Sequence, residues 1–204
     1  METASSSGGL KPAERQRVDA AARWLDSNLA AQGDPSRASR ILIAGDATLP
    51  QPWAVAIARL LAEDGDPVLL IDTSQGGLAL SAALELPRSP GLAELCQRRA
   101  EFEDVIWRDP PSGCHFLPSG RPRAVGGGWG EPGAADRVLR ALDASYRTLI
   151  ICAEAEEAHL LAGNLKRRFS AAILIEARPP GLGRGIRDLF AVFGFPALQV
   201  EPLR

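Results

Sequence analysis

The stretch Ile41-Leu42-Ile43-Ala44-Gly45 decides the fold of this chain. Its four aliphatic residues are continuous rather than alternating, which is typical of a strand whose two faces are both covered. Directly after it, residues 52–64 carry apolar side chains at helical spacing, which predicts a helix. A covered strand followed at once by a helix is the repeating unit of an α/β sheet.

The same pattern recurs along the chain. Further apolar runs predict covered strands at 68–71, 149–152 and 173–175, with weaker candidates at 114–117 and 197–200. Helical spacing predicts helices over 12–32, 52–64, 78–85, 90–99, 134–144, 156–168 and 184–193. Trp107 is predicted to lie in a loop. Strands that alternate with helices over short connections predict an α/β fold: a doubly wound, mostly parallel sheet flanked by helices, with right-handed crossovers.

Length and composition suit one such unit. The chain has 204 residues, of which 46% are hydrophobic and 24% charged. Residues 1–11 are small and polar and are predicted to be disordered, and residues 12–204 are predicted to form a single domain. No apolar run approaches the ~18–20 residues of a membrane span, and no signal peptide is evident. Three widely spaced cysteines favour a reduced, cytoplasmic protein.

The charge balance argues against a nucleic-acid partner. Lys and Arg number 23 against 25 Asp and Glu, which gives a net charge of −2. A general nucleic-acid binder usually carries a basic excess. The cations are nearly all arginines, because Lys11 and Lys166 are the only lysines of the sequence.

The turn after the first strand is the position where a parallel sheet usually binds a ligand. A phosphate-binding loop needs glycines whose N–H groups converge on phosphate, a lysine, and a Ser or Thr hydroxyl for magnesium. The turn at residues 45–53 has one glycine, Gly45, and no lysine. Pro50 and Pro52 each remove an N–H donor. The turn therefore lacks the groups that bind phosphate.

Five phrases follow one another along the chain: residues 41–44 (ILIA), 62–72 (AEDGDPVLLID), 86–95 (LPRSPGLAEL), 116–120 (FLPSG) and 146–151 (YRTLII). In this order the chain resembles the cytoplasmic domain of bacterial tyrosine kinases (BY-kinases) of capsule and exopolysaccharide systems. That family lies within the ParA/MinD-like class of deviant P-loop ATPases. The resemblance covers about residues 12–200 and implies a P-loop NTPase-like fold.

The resemblance also implies where the nucleotide-binding groups would stand, and other residues occupy those positions. The P-loop lysine would fall near Pro50 and its hydroxyl partner near Gln51. The second motif, D-x-D, reads Asp72-Thr73-Ser74, so that its second carboxylate is lost. The magnesium-binding aspartate of the third motif corresponds to Cys152, a soft ligand that suits Mg²⁺ poorly.

We therefore predict a degenerate Walker-type site without catalytic residues or metal. Phosphoryl transfer depends on positioning and electrostatic stabilisation, and the groups that supply both are missing together. The prediction is a pseudokinase that does not bind ATP and magnesium. The degenerate positions are Gly45, Pro50, Gln51, Asp72, Ser74 and Cys152. Asp72 is expected to cap the turn that follows it, and Cys152 to be a small core residue.

The resemblance implies a partner and a location as well. BY-kinase domains dock on a membrane-embedded chain-length regulator (polysaccharide co-polymerase), which implies a cytoplasmic protein recruited to the inner face of the inner membrane. Family members form rings through an E-x-x-R-x-x-R-like pattern in an early helix, which Glu14, Arg15 and Arg17 match loosely. A homo-oligomer is therefore a further expectation.

Other interpretations stay open. A residual ATPase or tyrosine kinase would hold nucleotide through Asp72, Glu154 and arginines, whereas a ParA/MinD-like positioning module would have lost its ATP switch. The glycines at 181–185 are spaced wrongly for a dinucleotide fingerprint and favour a structural turn. His115 lacks metal-site spacing, and Tyr146, the single tyrosine, is expected to be a packing residue with its hydroxyl at the surface.

Overall fold

The aliphatic run at 41–44 lies at the centre of a sheet. The computed structural model describes residues 10–32, 38–46, 50–63, 65–74, 78–121, 133–165, 169–177 and 193–203. The strands are β1 (Ser39–Gly45), β2 (Val68–Asp72), β3 (Trp107–Arg108), β4 (His115–Leu117), β5 (Thr148–Glu154), β6 (Ala171–Ala177) and β7 (Leu198–Leu203). The helices are α1 (Pro12–Ala31), α2 (Pro50–Ala62), α3 (Leu78–Ala83), α4 (Leu92–Cys96), α5 (Phe102–Val105), α6 (Ala134–Leu142) and α7 (Ala155–Leu165).

The sheet has the strand order β3-β4-β2-β5-β1-β6-β7. β1 pairs in parallel with β5 and β6, and β2 pairs in parallel with β4 and β5. β7 extends the sheet in parallel beyond β6, whereas β3 is antiparallel to β4. The prediction of a mostly parallel α/β sheet is confirmed.

Both faces of the sheet are covered, which explains why its central strands show no alternation. Leu42 and Ala44 of β1 face the core that α4, α6 and α7 complete. Ile41 and Ile43 face the core completed by α1, α2 and α3. Both environments exclude water, so every position of β1 from 41 to 44 is aliphatic.

The first helix and the last strand are joined by one arginine. The stripe of apolar residues in α1 is buried, but Arg17, which lies beside it, turns towards β7. Its guanidinium donates from Nε to Glu201 Oε2 at 3.0 Å and lies 5.5 Å from the ring centre of Trp53 on α2. Arg17 therefore connects α1, α2 and β7.

Two short elements correct the sequence prediction. Trp107 lies in β3 rather than in a loop, because it pairs with Phe116 of β4. α5 was not predicted either, since two- and four-residue elements make no periodic pattern. The helix predicted over 90–99 spans only Leu92–Cys96, because Arg98 has a left-handed backbone (φ 56°).

Several predictions concern positions outside the described residues. These are the greater part of the disordered stretch 1–11, the glycine turn at 181–185 and nearly all of the helix at 184–193. In the part of the chain that the structure covers, no helix has both the length and the apolar character needed to cross a membrane.

Candidate functional site

The carboxyl end of β1 is packed closely against β6. A Cβ atom on Gly45 would lie 2.6 Å from the carbonyl oxygen of Ile175 and 3.3 Å from Cδ of Pro50. No side chain can be accommodated at this separation. Gly45 thus has a structural reason to be glycine, namely the approach of β1 to β6 and to the start of α2.

The start of α2 is buried. Pro50, Gln51 and Trp53 all belong to the buried face of the helix, and Gln51 and Trp53 are only 4% and 1% exposed. Pro50 and Gln51 are the positions where the resemblance would place the lysine and the hydroxyl. A proline offers phosphate neither an N–H nor a positive charge, and a glutamine offers an amide in place of a hydroxyl.

Asp72, the last residue of β2, is fully buried. Its Oδ1 accepts hydrogen bonds from the backbone N of Ser74 at 2.9 Å and from Ser74 Oγ at 2.7 Å. These bonds confirm that Asp72 caps the turn after β2. Burial raises the pKa of Asp72 from 3.8 to about 6, against the bonds from Ser74 and the charge of Arg88, and the charge of Glu154 raises it further.

The residues after β2 are attached to β5. Thr73 donates from its backbone N at 3.0 Å and from Oγ1 at 2.9 Å to the carbonyl oxygen of Cys152. Ser74, where the resemblance implies a second carboxylate, donates from its hydroxyl to Asp72. Residues 72–74 are therefore held by local hydrogen bonds.

Cys152 lies opposite Asp72 in the pairing of β2 with β5 and is 1% exposed. Its interpretation as a small core residue is confirmed, but it does not end its strand, because β5 continues to Glu154. Burial raises the pKa of the thiol, and the charges of Asp72 and Glu154 raise it further. The thiol is therefore protonated, and a thiol binds metal only as thiolate. The described residues include no group of three or more side chains suited to hold a metal ion.

Two of the quoted phrases cross each other at the carboxyl end of β4, and sequence reasoning missed this contact. We call residues 88–94 with residues 118–121 the loop crossing. The backbone N of Leu92 donates to the carbonyl of Pro118 at 2.8 Å, and Gly120 N donates to the carbonyl of Arg88 at 3.1 Å. Glu94 Oε2 accepts from Gly91 N at 2.9 Å.

Glycine is required on both sides of the loop crossing. A Cβ on Gly91 would collide with the backbone of Pro118, and one on Gly120 would collide with the carboxylate of Glu94. Gly120 also has a left-handed φ of 86°. The glycines of the two segments were the sequence feature that could have predicted this contact. The sequence does not show which residues they approach, because those residues are far apart in the chain.

The two histidines and the tyrosine make contacts of their own. His115 Nδ1 is 2.7 Å from the hydroxyl of Tyr146, at the amino end of β4. Tyr146 is a packing residue as predicted, but its hydroxyl is bound to His115 rather than free at the surface. His159 packs edge-on against Phe193, with ring centres 5.0 Å apart.

No protein-family model matches the chain, and no curated protein does. Among solved structures, the VpsO kinase domain superposes with a TM-score of 0.69 at 18% identity, over 94% of this chain and 98% of that one. The kinase domain of the Escherichia coli tyrosine kinase ETK gives 0.65 at 15% identity, over 89% and 73%. The chain has the fold of a BY-kinase domain.

The BY-kinase fold is also related to other nucleotide-binding proteins. A cobyrinic acid a,c-diamide synthase from Mycobacterium smegmatis, solved with ADP and magnesium, superposes with a TM-score of 0.56 at 21% identity, over 80% of this chain and 74% of that one. These likenesses confirm the predicted P-loop NTPase-like architecture. At such low identities they establish the fold alone.

Proposed function

We propose that this chain is a non-catalytic protein with the BY-kinase fold that acts in bacterial exopolysaccharide or capsule biosynthesis. It regulates polymerisation or export by contact with a membrane-embedded chain-length regulator, and it binds no ATP·Mg. One observation carries the proposal: the residues that stand where the resemblance implies nucleotide-binding groups pack closely or form hydrogen bonds within the fold. The described residues around them are packed and hydrogen-bonded to each other.

The electrostatic argument supports loss of activity. Gly45 serves close packing, Asp72 caps a turn, and Cys152 fills the core as a protonated thiol. A single lost charged contact to phosphate costs about 2–5 kcal/mol by analogy with buried charge pairs. Here the lysine, the hydroxyl and the metal carboxylate are missing together, so little remains to balance the charge of a triphosphate.

The early helix gives little support to ring formation by the pattern named above. Glu14 accepts a hydrogen bond from the backbone N of Lys11 at 2.9 Å and caps α1. Arg17 is bound to Glu201 within the chain. Two of the three residues that loosely match the ring-forming pattern are thus engaged internally.

A second candidate function is a residual nucleotide-binding enzyme. Asp72 supports it, because this carboxylate is retained and the partly exposed Glu154 lies on the adjacent strand. The two candidates make opposite predictions for nucleotide binding.

Calorimetry with ATP·Mg separates them. We expect no binding heat for this chain under conditions in which binding is measured for the cobyrinic acid a,c-diamide synthase solved with ADP and magnesium, which serves as the positive control. Saturable binding together with release of phosphate would establish the residual enzyme and overturn the pseudokinase.

The partner is tested by co-purification. The tagged chain is co-expressed with a membrane-embedded chain-length regulator of a capsule or exopolysaccharide system from the same organism and extracted in detergent. We expect the regulator to co-purify with the chain and not with the tag alone. Its absence from the eluate would remove the support for a membrane partner.

A further inference from the structure

The sheet has two edges, and the strands that form them differ in length. Among the strands that the structure describes, β3 lies at one edge and β7 at the other. β3 has two residues, whereas β7 has six, and residues 198–202 of β7 are partly exposed. A long edge strand offers free N–H and C=O groups to any strand that approaches it, and a very short one offers few. β7 is therefore the edge at which another chain could add a strand.

The register of β7 on β6 determines which backbone groups of β7 are free. Ala172 of β6 lies opposite Leu198, and its backbone N donates to the carbonyl oxygen of Ala197 at 2.9 Å. In a parallel ladder, residues that bond to the neighbouring strand alternate with residues whose N–H and C=O point away from it. The odd-numbered residues of β7 therefore bond to β6, and its even-numbered residues present their backbone groups to the open edge.

Pro202 stands at one of these outward positions, opposite Glu176 of β6. A proline has no N–H, so at this position it removes a donor from the open edge and takes no hydrogen bond from the ladder with β6. The edge is left with the N–H groups of Leu198 and Val200. We infer that Pro202 keeps the open edge of β7 from pairing with β7 of a second copy of this chain. The inference is independent of the proposed function.

A second copy is the strand against which β7 needs this protection. Two β7 strands that pair antiparallel about Val200 would place Leu198 of each copy opposite Pro202 of the other, and the carbonyl of Leu198 would find no donor there. Charge does not oppose the pairing, because Glu201, the only charged residue of β7, is bound within its own chain by Arg17, whose Nε lies 3.0 Å from Oε2. Within β7, the proline is therefore the feature that disfavours the contact.

Analytical ultracentrifugation of the full chain over a range of concentrations tests the inference with Pro202→Thr. We expect the association constant to rise about 30-fold or more above that of wild type, because one hydrogen bond is restored in each copy. Pro110→Thr, which replaces an exposed proline in the turn between β3 and β4, is the matched control and should associate no more than wild type. Amide exchange locates the contact: in Pro202→Thr, the N–H groups of Leu198 and Val200 should exchange more slowly as the concentration rises.

Three results would overturn the inference. The first is association of Pro202→Thr no stronger than that of wild type, and the second is association that leaves amide exchange at Leu198 and Val200 unchanged. The third is wild type in which these two amides are already protected as the concentration rises. Thermal unfolding checks that each variant is folded, and Pro202→Val, for which the same results are expected, serves as a second variant.

Discussion

At the scale of single residues, Asp72 shows a conflict between burial and charge. Its backbone position is suited to capping, and Ser74 provides two hydrogen bonds. Burial nevertheless raises the pKa of Asp72 from 3.8 to about 6, so ionisation of the buried carboxyl group lowers the stability of the fold as the pH rises above 3.8.

The substitution Asp72→Asn tests this conflict. The folded state binds a proton more tightly than the unfolded state, so the contribution of Asp72 to stability falls as pH rises from 3.8 through about 6. At pH 8 this shift in pKa lowers the free energy of unfolding by ~3 kcal/mol, and replacing Asp72 by a neutral residue removes that cost. The buried amide of Asn, with fewer hydrogen bonds, offsets ~1–2 kcal/mol of the gain. We expect a net gain of ~1–2 kcal/mol at pH 8 by urea denaturation, and none at pH 4. The exposed Asp66, changed to Asn, is the control; a loss of stability in Asp72→Asn at pH 8 would contradict the argument.

At the scale of elements, the β3–β4 hairpin is attached to α2 by one ion pair. Arg59 donates from Nε and Nη2 to Asp109 at 2.9 and 3.0 Å, and Asp109 is 2% exposed. Despite its burial, the pKa of Asp109 is lowered, because Arg59 and Ser112 donate to its carboxylate. Its contribution to stability is therefore present above pH 3.8 and is lost as the pH falls below that value.

Arg59→Met tests the attachment. It leaves a buried carboxylate without its cation, and we expect a loss of ~2–3 kcal/mol at pH 7, less than for a fully buried pair because Arg59 is partly exposed. Arg140→Met removes the exposed ion pair with Asp136 within α6 and should cost under ~0.5 kcal/mol. Equal losses in the two variants, measured by urea denaturation, would show that the hairpin does not depend on Arg59.

Substitution of a glycine tests how closely the two segments of the loop crossing pack. Gly120→Ala combines a left-handed backbone with displacement of the Glu94 carboxylate, which would lose its hydrogen bond from Gly91 N, and we expect a loss of ~2 kcal/mol. Gly65→Ala has a similar φ of 83° but open space around it, so it should lose only ~1 kcal/mol. Thermal unfolding of both variants separates the collision from backbone strain; similar losses would mean that the crossing tolerates a side chain.

At the scale of the whole molecule, Arg17 holds the first helix against the last strand. Its partners Glu201 and Trp53 belong to β7 and α2. Arg17→Met should lower stability by ~1 kcal/mol and increase amide exchange in α1 and β7 together, whereas Arg23→Met, an exposed arginine of the same helix, should do neither. Faster exchange in α1 alone would contradict the link.

The core of the fold was predictable because it depends on local composition. All four predicted central strands are strands in the structure, since a short continuous apolar run is typical of a strand covered on both faces. These are the runs at 41–44, 68–71, 149–152 and 173–175. β3 was missed because a two-residue strand exists only through its pairing with β4. The loop crossing was missed because the hydrogen bonds between its two segments join backbone groups far apart in sequence, and these leave no mark on side-chain periodicity.

The sequence by itself determined the α/β class and the central strands, because these follow from residue type and spacing. Only the tertiary structure decided the contacts that residues at the carboxyl ends of these strands make. Gly45 admits no side chain because β6 approaches it, and Asp72 lies opposite Cys152 because β2 pairs with β5. Such relations depend on strand register, which brings together residues that no local pattern connects.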